Sequence, residues 1–267
     1  METSLNSYFD GKWALILGAS SGFGEAASNK LAQAGLNICG VHLDRKSTQA
    51  NAERIESEIK QMGRKTLFVN MNASDEEKRK ECLGRLKEMA AGKVHVLMHS
   101  LAFGALKPFI STDPSETLSK AQIEMTLDVM ANSLVYWAQD LFLGGFYTPN
   151  ARIFAMTSAG SSRVWKSYGA VSAAKSALES YIRQLALELA PHGVCANAIL
   201  AGVTDTPALR KIPGNEAMLA TAKARNPMGR LTTPDDVANA LVALSLPHCN
   251  FITGNTLRVD GGENISD

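Results

Sequence analysis

Residues 13–24 read Trp-Ala-Leu-Ile-Leu-Gly-Ala-Ser-Ser-Gly-Phe-Gly, a short apolar run that ends in a glycine-rich turn. A run this short, bounded by glycine, reads as a strand buried on both faces, and the turn leads into a helix expected to begin near Glu25. Working outward, six further runs repeat the pattern at 37–41, 66–69, 94–98, 152–156, 194–200 and 256–259. Longer segments between them carry apolar residues at helical spacing, most clearly Val171, Ala174, Leu178, Tyr181, Leu185 and Leu189. Asp113-Pro114 and Thr233-Pro234 each offer a side-chain acceptor followed by proline, the pattern of a helix start. Strand-helix alternation without a linker predicts one α/β domain over residues 1–267, a doubly wound, seven-stranded parallel sheet flanked by helices. Residues 204–232 break the alternation with Pro207, Pro213 and Pro227, and are expected to form a lid over a site.

Composition narrows the function classes. Lys and Arg number 27 against 26 Asp and Glu, so the net charge is +1 and a charge-driven nucleic-acid binder is excluded. The four cysteines, Cys39, Cys82, Cys195 and Cys249, lack metal or redox spacing and read as reduced core thiols. The first residues, Met-Glu-Thr-Ser-Leu, carry no basic start before an apolar stretch, and no run is long enough to span a membrane. The expectation is a soluble, cytoplasmic protein.

The turn Gly18-Ala-Ser-Ser-Gly22-Phe-Gly24 lies where the first strand of such a sheet meets its helix. Three glycines at this spacing arise by chance about 0.1 times in a chain of this composition, so position carries the argument. Glycines there let backbone amides approach a pyrophosphate at a helix N-terminus, which makes the domain Rossmann-type. Ser20, Ser21 and the amides near Phe23 are the expected phosphate donors. The second strand should end near His42, where an acidic residue commonly grips the adenosine ribose. Here the string is Val41-His-Leu-Asp-Arg-Lys46. The absence of an acid at the strand tip, with Arg45 and Lys46 close behind, favours a 2′-phosphate and hence NADP(H) over NAD(H). Asp44 argues for an unphosphorylated ribose, and a merely solvated charge cluster is the bland reading.

The fifth strand is followed by Thr157-Ser158 and, further on, by Tyr168 and Lys175. Seven residues on a helix return to nearly the same face, so both side chains can address one ligand. An ammonium beside a phenol favours the phenolate, so Lys175 is expected to lower the pKa of Tyr168 and suit it to proton donation. A buried structural tyrosine is the competing reading.

Gly18–Gly24, Ser100-Leu-Ala-Phe-Gly104, the Tyr168/Lys175 pair, residues 197–206 and Val259-Asp-Gly-Gly262 together resemble the short-chain dehydrogenase/reductase family, over roughly residues 12–262. The resemblance implies that Lys175 also holds the nicotinamide ribose. It implies further cofactor contacts from Asn72 and Ala73, from Ser100, Leu101 and Ala102, and from Gly202, Val203, Thr204 and Thr206. It also implies a homotetramer.

The departures from the family's main branch are informative. That branch places its tyrosine four residues before the lysine, where this chain has Val171, which has no proton to give. Tyr168 lies three residues further back, a displacement of about 4.5 Å along a helix axis. This spacing, with His99-Ser-Leu-Ala-Phe103 and Leu200-Ala-Gly202, resembles the enoyl-acyl-carrier-protein reductases of fatty acid synthesis, and the stretch from Arg210 to Arg230 is most similar to their NADPH-using subgroup. Those enzymes reduce the carbon-carbon double bond of an enoyl thioester on carrier protein or coenzyme A. A displaced phenol suits a proton donor that must reach an enolate oxygen two atoms from the carbon accepting hydride. Met130 stands where the main branch has a relay asparagine, and Ser158 stands where the main branch holds a carbonyl oxygen. Ser158 therefore keeps a carbonyl reductase as the rival, with a non-catalytic NADP(H)-binding sensor behind it. Phe103 and Trp165 are candidate walls of an acyl pocket, or ordinary core. His99 has no partner at metal-ligand spacing, so no metal is expected.

Overall fold

The computed structural model describes residues 5–90 and 93–266. Seven strands form one all-parallel sheet: β1 Trp13–Leu17, β2 Asn37–His42, β3 Thr66–Asn70, β4 Val94–His99, β5 Tyr147–Thr157, β6 Cys195–Ala201 and β7 Thr256–Val259. Nine α-helices accompany them among the described residues: α1 Leu5–Phe9, α2 Gly22–Ala34, α3 Gln49–Gln61, α4 Glu76–Ala90, α5 Lys120–Leu127, α6 Ser133–Leu143, α7 Gly169–Leu189, α8 Asn215–Arg225 and α9 Pro234–Leu244. The strand order is β3-β2-β1-β4-β5-β6-β7. After β3 the chain crosses back over the sheet to β4, so the order reverses between β1 and β4, where a crevice opens at the strands' carboxyl ends.

The sheet is buried on both faces because its strands alternate between two apolar layers. Along β1, Trp13, Leu15 and Leu17 pack with Leu83 and Leu86 of α4, Trp137 of α6 and Leu178 of α7. Ala14 and Ile16 pack with Leu31 of α2, Ile55 of α3 and Leu241 of α9. Period-two alternation under apolar layers on both sides is why the central strands read as continuous apolar runs, whereas the edge strand β7 alternates exposed and half-buried residues.

Several boundaries differ from the sequence reading. Helix α2 begins at Gly22 because Ser21 is extended and serves as its N-cap, so the glycine turn is itself the first helical turn. β5 starts at Tyr147, where Pro149 and a left-handed Asn150 hide a bulged, register-shifted start. Asp113 caps only the single turn Pro114–Glu116, and the true helix start is Ser119, which forms a capping box with Gln122. Thr233 caps α9 with Asp236 as expected. Cys39, Cys82 and Cys195 are buried, Cys249 is half-buried, and all four are free thiols. Among the described residues no helix is long and apolar enough to cross a membrane.

Candidate active site

Two adjoining cavities occupy the crevice. The first, about 340 Å³, is lined by Gly18, Ser20, Ser21, Gly22 and Phe23 from the β1–α2 turn, His42 from β2, and Asn72 and Ala73 after β3. Ser100, Leu101, Ala102 and Phe103 after β4, Lys175 of α7 and Thr206 after β6 also line it. Gly18 has a left-handed backbone, and a methyl group there would sit 2.4 Å from the Ser100 carbonyl oxygen. The turn and the end of β4 thus touch through bare backbone. A methyl on Gly24 would sit 2.0 Å from the Gly18 carbonyl oxygen. Gly24 closes the turn rather than lining the cleft, which corrects its expected role as a cofactor contact. The amides of the first α2 turn, with Ser20 and Ser21, form a ready anion cradle, so the site fits a dinucleotide.

At the end of β2, His42 Nδ1 lies 2.8 Å from Asp44 Oδ2. Asn70 clamps the Asp44 backbone from both sides, its Oδ1 accepting from the Asp44 amide at 3.0 Å and its Nδ2 donating to the Asp44 carbonyl at 2.9 Å. Partial burial pushes the Asp44 carboxyl up, but the Ser20 and Thr48 hydroxyls and the His42 ring outweigh it and hold the group below the usual carboxylate range. Arg45 and Lys46 are exposed beyond Asp44, and neither forms an ion pair among the described residues.

The second cavity, about 450 Å³, opens beside Tyr168, Lys175 and Ser158. Tyr168 is the N-cap of α7, one residue before the helix. Its ring stands over Gly160, where a methyl group would lie 2.6 Å from Tyr168 Cε1. The Ser158 hydroxyl is buried in the same corner and makes no formed hydrogen bond to the protein. It is therefore a donor awaiting an acceptor.

Lys175 is 6 % exposed and donates from Nζ to the Met156 carbonyl at 2.7 Å and, more weakly, to the Leu101 carbonyl at 3.5 Å. Burial lowers its ammonium to about 8, against a smaller upward pull from Glu179. The phenol behaves contrary to expectation. Burial raises the pKa of Tyr168, and the nearby Ser158 hydroxyl draws it only part of the way back. The Lys175 ammonium is directed at the two backbone carbonyls. The expected lowering of the Tyr168 pKa is therefore corrected to a raising, which keeps the proton on the phenol.

The remaining predicted residues divide between the cavities. Gly202, Val203, Thr204 and Trp165 line the second, Thr206 and Phe23 line both, and Phe103, 55 % exposed, lines only the first. Met130, from a π-helical turn over Asp128–Asn132, and Val171 form apolar wall in the second cavity. Asn132 instead accepts a hydrogen bond from the Tyr181 hydroxyl at 2.9 Å. His99 Nε2 bonds the Ser133 hydroxyl at 2.9 Å, and no cluster of metal-ligating side chains occurs among the described residues.

Sequence reasoning missed Arg163, Met218, Thr221, Arg225 and Glu263, all on the second cavity. Glu263 follows the last strand and Arg225 ends α8, so neither carries a local signal. Only the fold brings them together.

Residues 18–264 match a family model described as enoyl-(acyl carrier protein) reductase. The chain is 30% identical over 203 residues to the NADH-dependent enoyl-[acyl-carrier-protein] reductase FabI of Aquifex aeolicus, covering 74% of this chain and 72% of that protein. It is 27% identical over 254 residues to L-xylulose reductase of Mesocricetus auratus, covering 94% and 96%. The crystal structure of the enoyl-[acyl-carrier-protein] reductase (NADH) from Aquifex aeolicus VF5 superposes with a TM-score of 0.84 at 27% identity, over 96% of this chain and 98% of that one. The chain therefore belongs to the short-chain dehydrogenase/reductase family and is an NAD(P)H-dependent oxidoreductase.

Proposed function

We propose that this enzyme reduces the carbon-carbon double bond of a trans-2-enoyl thioester with NADPH. The observation that carries the reading is the placement of the proton donor. Tyr168 supplies the phenol on the second cavity, while Val171, four residues before Lys175, is apolar wall. Bound in the first cleft, the reduced nicotinamide would supply hydride. Tyr168 holds a proton at its phenol oxygen and delivers it to the oxygen of the enolate that develops on the substrate. The Ser158 hydroxyl is a second donor for that oxygen. Lys175, anchored by Met156 and Leu101, lies on both cavities and orients the nucleotide ribose. Residues 204–232, which contribute Leu209, Ile212 and Met218 to the wall, act as the lid that excludes water.

The preference for NADP(H) is supported by Arg45 and Lys46, both without ion-pair partners, and opposed by the Asp44 carboxylate. Asp44→Ala should improve NADPH use and Arg45→Ala should impair it, each read from the ratio of kcat/KM values with NADPH and NADH. A homotetramer, an acyl thioester partner on carrier protein or coenzyme A, and a cytoplasmic location complete the proposal. A second reading, reduction of a ketone, is favoured by the unpartnered Ser158 hydroxyl. Parallel assays with enoyl and 3-ketoacyl thioesters decide between them.

A further inference from the structure

The wall of the second cavity is chemically lopsided. Met130, Val171, Ile212 and Met218 make it apolar, and among the described residues Glu263 is its only carboxylate. Glu263 is 2 % exposed and already engaged, accepting from the Val203 amide at 2.8 Å. Against it stand Arg225, Arg163 and Lys211 on the same wall, besides Lys175. Arg163 and Lys211 are exposed, but Arg225 is largely enclosed, with 21% of its side chain accessible. Its one ion-pair contact, Nη2 to Glu263 Oε1, is long at 3.4 Å. Its Nε is buried without a hydrogen-bond partner. A guanidinium carries five donors in a planar fork, and the one long contact to Glu263 leaves most of that fork free for an acceptor on the cavity side. Nε is enclosed, so an anion inside the cavity would meet the accessible part of the fork.

We propose that the natural substrate carries a carboxylate, distal to its reacting carbons, that Arg225 receives inside the second cavity. This rests on the reading of that cavity as the substrate pocket of an enoyl reductase. A carboxylate matches the fork in shape and charge, and the apolar wall covers the carbon skeleton between the two ends. Glu263 positions Arg225 and ties it to the loop carrying Val203.

The test uses N-acetylcysteamine thioesters of trans-2-enoic diacids, which carry no phosphate, with the distal group either a free carboxylate or its methyl ester, over a graded series of chain lengths. For at least one length, wild-type kcat/KM should favour the free acid by about tenfold or more. The preference should shrink to within about twofold in Arg225→Gln and survive in part in Arg225→Lys. Ester turnover equal to or better than that of the acid at every length, or a preference that persists in Arg225→Gln, overturns the proposal. If no thioester is reduced, the enoyl reading fails, and binding of saturated dicarboxylates, followed by tryptophan fluorescence, still decides the carboxylate site. Saturable binding to wild type, weakened about tenfold in Arg225→Gln, supports it. Equal binding by the two proteins, or none, overturns it.

Discussion

Lys175 points its ammonium at the Met156 carbonyl oxygen, 2.7 Å away, and not at the phenol of Tyr168. The two side chains therefore face different partners, the lysine a backbone carbonyl and the phenol the second cavity, and under the proposed function they divide the work. Tyr168→Phe removes the donor and leaves the anchored lysine in place. It should lower kcat by about 10²- to 10⁴-fold with little change in the affinity for nicotinamide nucleotide, measured by fluorescence titration. Full turnover in this variant would contradict the division.

Burying Lys175 costs stability in a pH-dependent way. Its folded pKa of about 8 lies below its ordinary 10.5, so between these values the unfolded chain binds more protons than the folded one. The penalty is complete below pH 8 and is relieved as the pH rises toward 10.5, by up to about 3 kcal/mol. Lys175→Met should lose this rise. Denaturant unfolding of both proteins at pH 7 and pH 10 checks it, and parallel changes in the two would count against the assignment.

His95 and His99 make the fold sensitive to acid. Burial lowers His95 to about 4 and His99 to about 3, against the ordinary 6.5. Stability from keeping them neutral is intact above pH 6.5 and is lost as the pH falls toward those values, at up to about 1.4 kcal/mol per pH unit for each ring. His95 bonds the Thr148 hydroxyl at 2.8 Å and the Ser245 carbonyl at 3.0 Å, both within reach of an amide. His95→Gln should therefore flatten the dependence of Tm on pH between 6.5 and 4, and an unchanged slope would rule His95 out as a source.

Two glycines separate backbone strain from collision. Gly18 and Gly63 both have left-handed backbones, but a methyl group at Gly18 meets the Ser100 carbonyl oxygen at 2.4 Å, while one at Gly63 meets nothing within 4 Å. Gly63→Ala should cost about 1 kcal/mol, the left-handed penalty alone. Gly18→Ala should cost more than about 2 kcal/mol and weaken nucleotide binding by separating the turn from β4. Equal losses for the two variants in urea unfolding would show that the contact with Ser100 is unimportant.

The sheet was legible because its central strands are covered on both faces and so read as apolar runs, as Trp13–Leu17 and Val94–His99 do. The first cleft was legible because its glycines and Ser100 follow strand ends in sequence, and Lys175 lies seven residues after Tyr168. The pKa of Tyr168 was not legible: spacing gives the face a side chain occupies, but not how deeply the fold buries it. The Arg225–Glu263 pair was equally hidden, because it joins the end of α8 to the segment after β7, and only tertiary folding brings them to one wall. Gly24 carries the motif spacing yet serves packing, a distinction visible only once the Gly18 carbonyl is seen beneath it.

The most direct test of the account is loss of reduced-nicotinamide absorbance when the purified enzyme, with NADPH or NADH, meets a trans-2-enoyl thioester or the matching 3-ketoacyl thioester. The account predicts oxidation of NADPH with the enoyl substrate and none with the ketone. Oxidation with the ketone alone would contradict it, and would make Ser158 the residue that sets the reaction.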